Sequence, residues 1–231
     1  MKTIVVGNRK GGVGKTSIAY NLGASYMLEG KSVLFIDLDS QGNLTTLLKQ
    51  EPVSLEEWKE FKPLQLTDKL YVLPATKRFS QLENEINELF NRNSYLKKTV
   101  FPELSIQADV VIIDTPPALN ILNINAFCVA DTVLIPVQAD SFSLTGLLEM
   151  RDILEQVKEL NPSLQYKTVL NAYFTGRTLT DGARDAIQAD IGHSGVEIPH
   201  RQHLINCNAE RRPALDNREL YTAFEGLRRA V

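Results

Sequence analysis

Two cysteines, one tryptophan and three methionines are all that 231 residues hold of these types. Cys128 and Cys207 cannot build a disulfide framework, so a reducing compartment, the cytoplasm, is expected. No apolar run approaches the ~20 residues needed to cross a bilayer. After Lys2 only Thr3-Ile4-Val5-Val6 precede Gly7, a stretch too short and too strand-like for the core of a secretion signal. Repeats, low-complexity tracts and Pro/Gly/Ser linkers are missing too. Disordered, collagenous, coiled-coil and membrane-spanning classes are thereby excluded, and residues 1–231 read as one domain. Cationic excess is also lacking: 25 basic against 28 acidic side chains give −3, which argues against wholesale nucleic-acid binding. The charge is unevenly placed, however. Residues 200–231 carry six arginines, no lysine and four acids, a balance of +2 that leaves −5 for the remainder.

With 43% hydrophobic and 23% charged residues, the chain can bury a sizeable core. Short apolar runs alternate with longer amphipathic stretches, the pattern of βα units around a mostly parallel sheet with helices on both faces. Strands are expected at Thr3–Gly7, Ser32–Asp37, Leu70–Pro74, Asp109–Asp114, Thr132–Pro136 and Lys167–Asn171, with a short one near Gly195–Ile198. Helices are expected at Lys15–Glu29, Arg78–Asn91, Ile121–Val129, Ser143–Leu160, Asp181–Ile191 and Arg218–Ala230. Leu144, Leu147, Met150, Leu154 and Val157 recur at spacings of three and four and mark a buried helix face. The polar stretch 49–68, with Pro52 and Pro63, reads as a surface excursion.

The sharpest feature is Asn8-Arg9-Lys10-Gly11-Gly12-Val13-Gly14-Lys15-Thr16-Ser17, lying between the first strand and the first helix. Glycines there let the backbone curl so that several N–H groups face one anion, and the helix adds its positive end. Lys15 supplies charge for the β- and γ-phosphates, and the Thr16 hydroxyl is placed to ligate Mg²⁺. Read as a dinucleotide fingerprint, the segment would need its third glycine where Ser17 stands. Asp37 and Asp39 end one strand and Asp114 another. In a parallel sheet such ends gather at the ligand-binding edge. Asp114 is expected to orient Mg²⁺ through water, and Asp39 to position the attacking water.

These residues resemble the ParA/MinD family of deviant Walker-A ATPases, a single-domain P-loop NTPase fold, over essentially the whole chain. The specific token is Lys10 in Lys10-Gly11-Gly12-Val13-Gly14-Lys15-Thr16. The resemblance implies that Lys10 reaches the partner's ATP across a nucleotide-sandwich homodimer. Arg9 stands where an ordinary phosphate loop has glycine. Asp37-Leu38-Asp39-Ser40-Gln41-Gly42-Asn43 is similar to the family's first switch, with Ser40 in place of proline, and Asp114-Thr115-Pro116-Pro117 to the second. Ile135-Pro136-Val137-Gln138 and Phe142-Ser143-Leu144-x-Gly146-Leu147 match the segment that follows.

By the same resemblance, Asn171 lies on the adenine edge and Pro199 in the loop flanking the base. The implied set is thus Lys10, Lys15 and Asp39 for catalysis, residues 10–17 with Asn171 and Pro199 for ATP, and Thr16, Asp39 and Asp114 for Mg²⁺.

The tail Ile198-Pro199…Pro213…Asp216-Asn217-Arg218 resembles the partition branch, in which the ATP-bound dimer holds nonspecific double-stranded DNA. Arg201, Arg211, Arg212 and Arg218 are the candidate DNA contacts. Asn217 replaces a family proline, and His200 and His203 replace two arginines. Both histidines read as surface polar residues rather than metal ligands. The implied activity is ATP hydrolysis, slow until a ParB-like or other cargo adaptor stimulates it, in the cytoplasm and on the nucleoid. A membrane-surface ATPase would need a basic amphipathic helix beyond the domain. The stripe Leu220, Phe224, Leu227 reads instead as packing on the sheet. A cluster-bearing metabolic enzyme would need cysteine ligands near the switches, whereas Cys128 lies fourteen residues after Asp114 in an apolar helix and reads as a buried thiol, and Cys207 is far along the chain.

Overall fold

The computed structural model describes residues 1–138, 143–173 and 193–231. Eight strands form one sheet: β1 Lys2–Val6, β2 Val33–Asp37, β3 Leu64–Thr67, β4 Leu70–Leu73, β5 Val110–Asp114, β6 Thr132–Val137, β7 Gln165–Tyr173 and β8 His193–Pro199. Their order is β3-β4-β2-β5-β1-β6-β7-β8. All neighbours run parallel except β3 and β4. β2, β5 and β6 are buried at every residue and rich in Val and Ile, as strands covered on both faces must be.

Two apolar layers do the covering. Helix α1 (Lys15–Leu28) lies on one face. The next helices in chain order are α2 (Asn43–Leu47), α3 (Leu55–Trp58), α4 (Phe79–Asn87), α5 (Phe101–Glu103), α6 (Ile121–Val129) and α7 (Ser143–Val157). The last two are α8 (Gln202–Ala209) and α9 (Arg218–Ala230). α3, α4, α6 and α7 pack on the face opposite α1. α9 joins α1, with Leu220, Phe224 and Leu227 fully buried. The expected stripe is therefore core. Asn217, the residue in the family's proline position, caps α9 by accepting from the Glu219 and Leu220 amides.

The expected strands and the helices at 15–29, 121–129 and 218–230 are present within a few residues. Helix α4 stops at Asn87 instead of Asn91 because Leu89 and Phe90 have nothing to bury against and lie exposed. α7 ends at Val157 instead of Leu160, and its Leu147, Met150, Leu154 and Val157 are buried as their spacing requires. The expected helix at Asp181–Ile191 lies outside the described residues.

The reading of 49–68 as a surface excursion is wrong. Ser54 and Glu57 form a capping box that starts α3. Leu55, Trp58 and Phe61 turn inward, and the Trp58 ring meets Phe61 and Phe79 edge-on at centroid distances of 5.6 and 5.4 Å. β3 then closes the sheet as a short antiparallel edge strand. Also unforeseen are α2, α8 and the helical turns Arg92–Ser94 and Leu96–Val100 that lead into α5.

Candidate functional site

The loop between β1 and α1 is held in shape by its neighbours. Asn8 donates to the Pro136 carbonyl (2.6 Å) and accepts from the Lys10 amide (2.9 Å). Gly12 and Gly14 have φ of 74° and 91°, a left-handed backbone that side-chain-bearing residues rarely adopt. At Gly14 a Cβ would also stand 2.1 Å from Asn171 Nδ2, which donates to the Val13 carbonyl at 2.7 Å. No side chain caps the first turn of α1, so its amide groups remain available to an anion.

Lys15 is buried, and its Nζ donates to the Lys10 carbonyl (3.2 Å). Burial lowers its pKa, opposed by the charges of Asp114 and Asp39. Thr16 Oγ1 donates to Asp114 Oδ2 at 2.6 Å. Asp114 Oδ1 is buried with no hydrogen-bond partner among the described residues, and burial together with Asp37 pushes this carboxyl well above the usual range. An orphaned carboxylate oxygen beside a Thr hydroxyl suits a hydrated divalent cation.

Asp37 stands in register with Asp114 on the neighbouring strand. Its Oδ2 accepts from the amide and hydroxyl of Thr45, both at 2.8 Å, and its Oδ1 from the Asp39 amide. Burial raises its pKa to about 6, partly offset by those bonds. The sequence reading gave Asp37 no task of its own. Geometry makes it the anchor of the segment that follows β2, since Thr45 Oγ1 also accepts from the Ala75 amide. Asp39 accepts from the Gln41 amide (3.0 Å) and faces the cavity.

That cavity, of about 620 Å³, is lined by Gly11, Gly12, Gly14, Lys15, Thr16, Ser17 and Asp39 among the expected residues. Val13 is buried behind the loop. Lys10, half-buried, and Asn171 are not among the lining residues. Pro199 borders a different hollow, together with Arg218. Sequence reasoning missed Asn208, whose Nδ2 donates to Ser17 Oγ at 2.7 Å, and Asn21, whose Oδ1 accepts from the Ala214 amide. These two bonds tie the chain after β8 to α1, and no local pattern announces them.

The candidate DNA arginines fare differently from one another. Arg201 is clamped in a double hydrogen bond by Glu219. Arg212 is shared between Glu210 (2.6 Å) and Asp216 (2.9 Å). Arg211 lines the loop cavity. Arg218 is exposed. Cys128 is buried, with its thiol pushed up to about 11, unsuited to ligating a cluster as thiolate. No helix among the described residues is long and apolar enough to cross a membrane.

A glycine loop joining a central parallel strand to an uncapped helix, with Lys, Thr and a buried Asp converging on it, defines a P-loop NTPase. A family model described as an AAA domain matches residues 1–166. The chromosome partitioning protein ParA of Myxococcus xanthus is 35% identical over 208 residues, 85% of this chain and 69% of that one. The sporulation initiation inhibitor Soj of Bacillus subtilis is 35% identical over 189 residues, 77% and 74% respectively. The chain belongs to the ParA family of partition ATPases. Among solved structures, apo McdA of Cyanothece superposes with a TM-score of 0.88 at 24% identity, covering 100% of this chain and 99% of that one. A plasmid partition protein of Borrelia burgdorferi bound to AMPPNP gives 0.83 at 20%, covering 99% and 97%. Cobyrinic acid a,c-diamide synthase of Mycobacterium smegmatis, with ADP and magnesium, gives 0.80 at 24%, covering 97% and 91%.

Proposed function

We propose that this chain binds ATP and Mg²⁺ in the loop cavity, dimerises on the triphosphate, holds nonspecific double-stranded DNA as a dimer, and so positions a cargo. The observation that carries the reading is the juxtaposition of the Lys10-Gly-Gly-Val-Gly-Lys15-Thr16 loop with the unpartnered Asp114 oxygen. Loop amides and Lys15 take the phosphates. Thr16 and Asp114 hold the hydrated cation, and Asp39 orients the attacking water. Lys10 serves the second subunit: a cation presented across the interface neutralises phosphate charge only when two copies meet.

DNA attachment follows from that pairing. One subunit offers few phosphate contacts, and two on the same duplex double the number of counterions released. Arg218 is the leading contact, with Arg211, and with Arg201 and Arg212 once their carboxylates let go. Hydrolysis is slow alone and quickened by an adaptor of the ParB type, after which the chain leaves DNA. The working location is cytoplasmic and, with ATP, on the nucleoid.

The test is a DNA mobility shift with ATP, with ADP and without nucleotide. Retention confined to ATP supports the reading, and equal retention in all three overturns it. Arg218→Glu should weaken retention and reduce the slope of log affinity against log salt by about two, one contact per subunit. An unaltered salt titration would move the DNA surface elsewhere.

A further inference from the structure

Outside the nucleotide cavity, one cluster of lone pairs converges among the described residues. His203 and Cys207 sit four apart on α8, so their side chains share one face. Asp216 approaches from the turn that precedes α9. His203 Nε2 lies 2.6 Å from Asp216 Oδ1 and 3.3 Å from Cys207 Sγ, and the three atoms fall within 4.8 Å of one another. One ring nitrogen faces both other groups. It carries at most one hydrogen, so it cannot at once donate to the carboxylate and accept from the thiol.

From this convergence the geometry points to a transition-metal site formed by His203, Cys207 and Asp216, suited to Zn²⁺ and distinct from the Mg²⁺ position at Thr16 and Asp114. A nitrogen, a sulfur and an oxygen donor make a set that zinc accepts and magnesium does not. Zinc bonds of about 2.0–2.3 Å in a tetrahedron place ligand atoms roughly 3.3–3.6 Å apart. Nε2 and Sγ already stand at that spacing, and Asp216 needs to withdraw by several tenths of an ångström.

Arg212 completes the arrangement. Its Nη1 holds Asp216 Oδ2 at 2.9 Å, leaving Oδ1 for the metal, as outer-shell partners of ligating carboxylates do. Cys207 is wholly buried while His203 and Asp216 reach solvent. The fourth position is therefore water, on the open side. Binding replaces the thiol hydrogen by metal and releases that proton to the buffer. A bound ion would fasten α8 to the turn before α9 and fix the spacing of Arg212 and Arg218.

The experiment uses the whole chain, stripped of metal by chelator, in excess Mg²⁺ and without nucleotide. Co²⁺ is titrated in and the sulfur-to-cobalt charge-transfer absorbance is followed. One equivalent should produce the band, and Zn²⁺ should abolish it. Cys128→Ser should keep it, Cys207→Ser should lose it, and Asp216→Asn and His203→Gln should each weaken cobalt binding at least about tenfold. Should Cys207→Ser not fold, His203→Gln, at a partly exposed position, decides the matter. No band in the intact chain, a band that survives Cys207→Ser, or unchanged affinity in His203→Gln overturns the site.

Discussion

Lys15 is a buried cation near the carboxylates of Asp114 and Asp39, and in the proposed reading it takes the phosphates. Lys15→Ala removes a charge-assisted contact and should lower ATP affinity by about 10- to 100-fold in calorimetry. Unchanged affinity would locate the nucleotide elsewhere. The paired acids behind it make a second prediction. Asp37 is raised from 3.8 to about 6, so between those values the folded chain keeps a proton that the unfolded chain has lost. Stability is fullest below 3.8 and declines as pH rises through 6. Asp114 is raised as well and acts in the same direction. Thermal melts of the nucleotide-free chain should fall as pH rises from about 4 to 6, and Asp37→Asn should flatten that profile. A slope unaffected by Asp37→Asn would count against its buried proton.

Whole elements divide into those that announce themselves and those that do not. β1, β2, β5 and β6 are short apolar runs rich in Val and Ile, and the glycine loop fixes where α1 starts. Such segments are legible because local composition and final burial agree. α3 is not, because only Leu55, Trp58 and Phe61 of a polar stretch turn inward, and they do so to meet Phe79, a residue distant in the chain. Trp58→Ala should cost about 3–5 kcal/mol in urea unfolding; a loss below 1 kcal/mol would restore the reading of 49–68 as a surface excursion. α1 offers a complementary case. A Cβ on Gly23 would stand 2.1 Å from the Phe35 ring, and that ring is buried and cannot yield. Gly23→Ala should therefore destabilise by about 1–3 kcal/mol, overriding the gain of up to about 1 kcal/mol in helix propensity. A stabilised variant would mean that the strand gives way.

Across the molecule, the candidate site was legible where chemistry is written in consecutive residues, as in 8–17, 37–43 and 114–117. It was illegible where the fold brings distant segments together. Asn208 and Arg211 reach the cavity only because the sheet returns through β8, and Arg201 and Arg212 find carboxylates that no motif predicts. The proposed subunit interface belongs at this level too. Lys10→Ala should reduce the ATP-dependent dimer fraction in light scattering far more than it reduces nucleotide affinity; undiminished dimers would remove its proposed part.

The bonds from Asn208 to Ser17 and from Asn21 to Ala214 have a practical side. The arginine-bearing tail takes its form from a helix nearly two hundred residues earlier. Cut loose as a synthetic peptide, it would keep its charge and lose its shape, so recognition measured on the fragment would speak only for the fragment.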